Sequence, residues 1–151
     1  MDAKTDAKGR VFVPATFRKI LQTAEAAQLV LRKDIYKDCL VLYPLNAWEA
    51  ELAKLRERLD EYDEEQRDFY QGFVADSEVL EMDSSGRILI GKRYLKVAEI
   101  SSDVRFIGMG DTIRIWSRAN FEEFMKQNND TFKMNARKFL SKAGSGESSS
   151  Q

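Results

Sequence analysis

An α+β fold made of two tandem copies of one small module is predicted by internal echoes in the chain. Asp6-Ala7-Lys8-Gly9-Arg10-Val11-Phe12-Val13 returns seventy-seven positions later as Asp83-Ser84-Ser85-Gly86-Arg87-Ile88-Leu89-Ile90. Leu40-Val41-Leu42-Tyr43 is matched by Ile113-Arg114-Ile115-Trp116, and Asn46-Ala47-Trp48-Glu49 by Ala119-Asn120-Phe121-Glu122. Each half therefore reads as turn, strand, short helix, hairpin, helix. A module half the length of this 151-residue chain buries too little apolar surface to stand alone. Two half-modules sharing a core are expected. The boundaries read from the chain are a first module over 1–62, an acidic linker over 63–76, a second module over 77–127, a C-terminal helix over 128–143 and a disordered tail over 144–151.

In both copies aspartate stands first and glycine fourth, the pattern of a type I turn whose aspartate bonds the backbone and whose glycine takes a positive φ. Asp6, Gly9, Asp83 and Gly86 are thus structural residues of two turns. Such a turn commonly closes a hairpin through a bulge. In the second copy Val79-Leu80-Glu81-Met82 is the incoming strand and Ile88-Leu89-Ile90 the outgoing one. In the first copy the incoming strand falls on Asp2 to Thr5, short and polar, and reads as a clipped beginning.

Val11-Phe12-Val13 and Ile88-Leu89-Ile90 are apolar at every position, which predicts strands covered on both faces, as in a small barrel. Pro14 suits the first position of a helix that places Phe17, Ile20 and Leu21 on one side. The second copy has Gly91 there, so its helix is expected to start less crisply. After the first hairpin, Trp48, Leu52, Leu55, Leu59 and Tyr62 recur at helical spacing and predict one apolar stripe on a helix of about four turns. The acidic run from Glu57 to Asp68 reads as a solvated helical face and linker. Phe121, Phe124 and Met125 repeat the Trp48 pattern, and Phe132, Ala136, Phe139 and Leu140 suggest one more amphipathic helix. Residues 144–151 have the composition of a disordered tail.

The balance of charge, 24 basic against 25 acidic residues, argues against coating nucleic acid by bulk positive charge. Any anion binding must be local. The chain has no histidine, which removes imidazole as acid, base or metal ligand. No glycine-rich phosphate loop, Cys/His metal cluster or nucleophile elbow is present, so no catalytic residue, cofactor or metal site is assigned and the chain is not read as an enzyme. Cys39, the single cysteine, lies in an apolar strand, Cys39-Leu40-Val41-Leu42, where a thiol behaves as a small core hydrophobe. With no disulfide framework, no transmembrane stretch and no apolar leader, the expected location is cytoplasmic.

The turns account for aspartate and glycine but do not require Arg10 or Arg87. Each arginine could pair with the aspartate four residues before it and stiffen a hairpin, or present a forked donor at a hairpin tip to phosphates or guanine edges. The two roles can coexist. Local charge supports the second. From Met1 to Leu21 five basic residues (Lys4, Lys8, Arg10, Arg18, Lys19) face two acidic ones, and from Asp83 to Leu95 three (Arg87, Lys92, Arg93) face one. Acid is concentrated in the linker, so a near-neutral total can hide a basic face. Segregated charge could equally serve an oligomeric interaction or scaffold protein without DNA readout.

With its doubled Asp-x-x-Gly-Arg turn leading into apolar strands, Pro14 after the first, and Phe69-Tyr70-Gln71-Gly72-Phe73 before the second, the chain resembles the MraZ family over nearly its whole length. That family belongs to the AbrB-like group, in which swapped hairpins from two modules build one small β-barrel with flanking helices. The resemblance implies a transcriptional regulator that assembles into a ring homo-oligomer. It implies binding to double-stranded DNA at short direct repeats upstream of the division and cell-wall gene cluster containing its own gene, usually as an autorepressor, and hence a nucleoid-associated location. The family's DNA-contacting positions carry over to Lys8, Arg10 and Arg87. Ser85 stands where Lys8 does in the first copy, so the second copy is expected to bind more weakly. The abbreviated first strand and Gly91, where the family often has proline, are departures from its pattern.

Overall fold

Among the described residues, eight strands and five helices follow one another in the order β1 (Asp2–Lys4), β2 (Arg10–Phe12), α1 (Ala15–Leu21), β3 (Gln28–Lys33), β4 (Leu40–Pro44), α2 (Leu45–Arg58), α3 (Glu64–Ala75), β5 (Glu78–Glu81), β6 (Arg87–Leu89), α4 (Lys92–Val97), β7 (Asp103–Gly108), β8 (Ile113–Ser117) and α5 (Arg118–Leu140). The computed structural model describes residues 1–21 and 28–141. The tail expected over 144–151 lies outside them. Contacts divide the chain into two compact units, Met1–Arg118 and the remainder from Ala119. Both copies of the turn-and-strand motif fall inside the first unit.

Six strands form an antiparallel sheet in the order β1-β7-β8-β4-β3-β5, and β2 and β6 form a separate antiparallel ribbon. The halves are interleaved. β1 of the first half pairs with β7 of the second, and β5 of the second with β3 of the first. Equivalent residues meet at the centre: Val11 opposes Ile88 in the ribbon, and Val41 opposes Arg114 between β4 and β8. A pseudo-two-fold axis therefore relates the two copies.

Three expectations are corrected here. No closed barrel is found among the described residues, because the sheet stays open between its edge strands β1 and β5. The incoming and outgoing strands of each motif do not pair as a hairpin ladder, since β2 and β6 pair with each other instead. Nor are those outgoing strands covered on both faces. Phe12 is 56% and Leu89 54% exposed, whereas Val11 and Ile88 are buried. A two-stranded ribbon lying on a sheet has only one inner face, so alternate side chains must point to solvent.

The inner faces of ribbon and sheet make the main core. Val11, Val13, Ile88 and Ile90 pack with Leu29, Leu31, Leu40, Leu42, Val104, Phe106, Ile113 and Ile115, closed by Leu21 of α1 and Tyr94 of α4. Residues of both halves contribute, which is why neither half could bury enough surface alone. On the opposite face of the sheet, Val30, Val41 and Tyr43 form a second cluster with Ala47, Trp48 and Phe73 from α2 and α3. Trp48 stacks on Phe73 at 5.5 Å, and the Arg32 guanidinium lies 3.9 Å over the same Phe73 ring. Strand β4 is buried along its whole length because both of its faces are used.

The helices differ from the sequence reading in detail. The stripe on α2 ends earlier than expected: Leu52 and Leu55 pack on the second cluster, but the helix stops at Arg58 and Tyr62 is 87% exposed. Residues 63–76, read as an acidic linker, are the helix α3 with its caps. The Asp63 side chain accepts from the Gln66 amide, Gln66 Oε1 accepts from the Asp60 amide, and Glu64 and Glu65 lie in the first turn, where the helix dipole favours anions. The acidic residues thus open a helix that delivers Phe73 to the core. In the second unit, the separate helix expected from 128 is the latter part of the uninterrupted helix α5. No residue of α5 is buried.

Both short helices start alike. Pro14 lies just before α1 and its carbonyl accepts from Phe17 and Arg18, while the Gly91 carbonyl accepts from Tyr94 and Leu95. Gly91 has φ −63° and ψ 156°, values a proline would adopt, so the less crisp start expected of α4 is not seen. The short strand β1 pairs through three residues, against four for β5. Burial raises the thiol of Cys39 to about 11, the behaviour of an inert core cysteine.

Candidate nucleic-acid interface

The two turns are near-identical in geometry. In the first, the Gly9 amide donates to the Asp6 carbonyl at 3.0 Å and the Asp6 amide to the Arg10 carbonyl at 2.8 Å; Gly86, Asp83 and Arg87 repeat both bonds at the same lengths. Both glycines have φ +89°. The turn aspartates also receive side-chain bonds. Asp6 Oδ1 accepts from the Lys8 and Arg10 amides, and Asp83 Oδ1 from the Ser85 and Arg87 amides. Backbone donation from Arg10 and Arg87 holds each carboxyl below its usual pKa, against the opposing effect of desolvation.

The remaining carboxylate oxygen of each turn takes the arginine. Arg10 Nε donates to Asp6 Oδ2 at 2.7 Å, and Arg87 Nε to Asp83 Oδ2 at 2.9 Å. The bracing role is therefore present in both copies. It uses only Nε. Among the described residues no bond to the terminal nitrogens of either guanidinium accompanies it, and both side chains are partly exposed, by 38% and 29%. An arginine tied at Nε and open at its fork is oriented for bidentate recognition.

The ribbon brings these two arginines onto one surface. Because β2 and β6 are antiparallel, their turns sit at opposite ends of the ribbon, and Arg10 pairs with Leu89 while Phe12 pairs with Arg87. All four side chains alternate with the buried Val11 and Ile88, so they share the outward face. The arginines are not at hairpin tips, as expected from sequence. They stand two residues apart along a shared ribbon, about 7 Å at the usual strand rise. Arg87 also lies 5.6 Å from the centre of the Phe12 ring.

Three residues of the ribbon and its turns were missed by sequence reasoning. Phe12 and Leu89 were assigned to the interior, and only the absent second covering layer reveals them. Arg18 was counted as local charge alone. Its side chain lies against Gly86, with Nη1 2.7 Å from where a β-carbon would stand, and its buried Nε has no hydrogen-bond partner among the described residues. At the equivalent place beside Gly9 stands Leu95. The first turn thus carries its own extra cation in Lys8, whereas the second, which has Ser85, lies beside Arg18 from the other half. Periodicity could place Arg18 on α1 but not across the pseudo-two-fold axis.

Comparison with known proteins matches residues 2–70 and 73–142 to the family described as "MraZ protein, putative antitoxin-like". The two matched segments follow the two copies. The chain belongs to the MraZ family. A protein from Phocaeicola vulgatus named Transcriptional regulator MraZ is 56% identical over 117 residues, covering 78% of this chain and 76% of the relative. One of the same name from Bacteroides fragilis is 47% identical over 127 residues, covering 84% and 80%. Another from Cytophaga hutchinsonii is 33% identical over 139 residues, covering 92% and 91%. Among the described residues no group of three or more Cys, Asp or Glu side chains is placed to hold a metal ion, and no helix is long and apolar enough to cross a membrane.

Proposed function

We propose that the chain is a sequence-specific DNA-binding transcriptional regulator that reads double-stranded DNA with the outward face of the β2–β6 ribbon. The observation that carries this reading is the pair of half-tethered arginines, Arg10 and Arg87, on one exposed ribbon face. The major groove admits a two-stranded β-ribbon, and the commonest specific contact there is an arginine fork on guanine O6 and N7. Lys8 at one end and Arg18 at the other would hold phosphates, which position without specifying. The name shared by the relatives supports the same class of function.

Self-association belongs to the proposal. The exchange of β1 and β5 between halves supports the swapped-hairpin reading of the fold. Within α5, Met125, Phe132, Phe139 and Leu140 are 50–80% exposed, a spread of apolar surface that a second copy would cover. A ring of such subunits, each offering one ribbon, would bind short direct repeats by avidity, gaining roughly 10²–10⁴ without a basic total charge. Its proposed target is the promoter of the division and cell-wall gene cluster containing its own gene, as an autorepressor at the nucleoid.

The test is a titration of labelled duplex carrying the DNA upstream of the gene against shuffled duplex at several salt concentrations. Preference for the natural sequence with a steep salt dependence is expected. Equal binding to both duplexes would overturn the regulator in favour of a scaffold protein.

A further inference from the structure

The outward ribbon face is not simply basic. Each of its two exposed rungs pairs one arginine with one large apolar side chain, Arg10 with Leu89 and Arg87 with Phe12. Leaving Phe12 and Leu89 more than half exposed forgoes their burial. Nothing in the turn geometry requires them. The repeat positions make the point sharper, since Phe12 and Leu89 are equivalent under the pseudo-two-fold axis, as are Arg10 and Arg87.

We propose that Phe12 and Leu89 are specificity-determining residues that read the C5-methyl groups of thymines adjacent to the guanines read by the arginines. The inference rests on the DNA-reading function proposed above. A thymine methyl is the one apolar feature on the major-groove edge of a base pair, and apolar side chains are its natural contact. The rungs lie about 7 Å apart, close to two base steps at 3.4 Å each. Each half-element would therefore combine a guanine with a neighbouring thymine, and the two-fold axis would present the same combination to both strands. A surface built for phosphate alone would gain nothing from an exposed phenylalanine.

A competing role for Phe12 is to steady Arg87, whose guanidinium lies near its ring. That role would lower binding to every duplex alike. The two are separated by coupling the side chain to the methyl group itself. The full-length protein first enriches duplexes from a random-sequence pool; each thymine of the enriched duplex is then replaced singly by deoxyuridine, which removes only the methyl. Wild type should lose about fourfold at the contacted thymines, the worth of one buried methyl group. Phe12→Ala and Leu89→Ala should bind the parent duplex more weakly but lose nothing further on the deoxyuridine duplexes, each at its own positions. Phe12→Leu, which keeps an apolar side chain without a ring, should retain the discrimination.

If the alanine variants discriminate thymine from deoxyuridine as wild type does, the inference fails while the DNA-reading function stands. If wild type enriches no sequence, the DNA-reading function fails and takes the inference with it. Light scattering on the two alanine variants should show the parent's assembly state; a loss of assembly would assign this face to self-association and overturn the proposal.

Discussion

The two copies of the turn share a backbone and differ in what surrounds it. Asp6 to Arg10 and Asp83 to Arg87 make the same bonds to within 0.2 Å, with glycine at the same φ. Yet Gly9 is pressed against the Ile90 carbonyl, 2.5 Å from where a β-carbon would lie, while Gly86 faces the movable end of Arg18. The difference shows that aspartate and glycine set the turn, whereas the pseudo-two-fold packing decides how much each turn tolerates and which charge it carries. One turn has its cation in its own sequence. The other takes it from a helix of the opposite half.

The largest asymmetry is expected on substitution of the glycines. Both Gly9→Val and Gly86→Val force a β-branched residue to positive φ, a strain of about 1–2 kcal/mol. Gly9→Val must also displace a backbone carbonyl, adding an overpacking cost of about 1–3 kcal/mol. Urea melts should place Gly9→Val well below Gly86→Val. Equal midpoints would mean that the Gly9–Ile90 approach is not tight in solution.

Charge comes next. Arg10→Ala and Arg87→Ala should each leave folding and assembly unchanged while weakening the preferred duplex by roughly 1–3 kcal/mol per site. Lys8→Ala and Arg18→Ala should act on all sequences alike and lower the salt slope by about one each. Were Arg18→Ala to leave that slope untouched, the second turn would have no borrowed cation, and the weaker second site expected from Ser85 alone would stand.

A smaller effect tests the helix starts. Gly91 already has the φ of proline, and a β-carbon there meets only ordinary contacts at 3.8 and 4.0 Å. Gly91→Pro should therefore stabilise by about 0.4–1 kcal/mol through the unfolded chain. A lower melting temperature would show that the two helix starts are not equivalent.

The smallest expected effect is one in which the copies should agree. Both turn aspartates have folded pKa values lowered from 3.8, first by the arginine amide and then by its side chain. A depressed carboxylate contributes stability above its unfolded pKa and loses it as pH falls through the folded value. The loss therefore belongs below about pH 4. Asp6→Asn and Asp83→Asn should flatten the acid limb of the stability curve to the same degree, read by thermal melts from pH 5 downward. Unequal flattening would show that the environments differ at the carboxylates as well as at the glycines.

Much of this molecule was legible in its chain because local chemistry has short range. Repeated Asp-x-x-Gly spacing determined both turns, apolar runs and helical spacing located most strands and helices, and the doubled echo required a shared core. The arginines left over once the turns had claimed their residues stood out together in the sequence, and the fold sets both on one ribbon face. The signal for α3 was also present, in Asp63 and Gln66 followed by Phe69 and Phe73 at a spacing of four, but it was masked by the acidic run around it.

What the sequence could not decide is which copy each strand would pair with, since pairing is a long-range choice with no local signature. Only the tertiary structure sends β1 to β7 and β5 to β3, and lays β2 against β6. That choice turns Phe12 and Leu89 outward, joins Arg10 and Arg87 on one face and brings Arg18 to Gly86. An all-apolar strand looks the same in sequence whether one face or two are covered, and burial is a property of its neighbours.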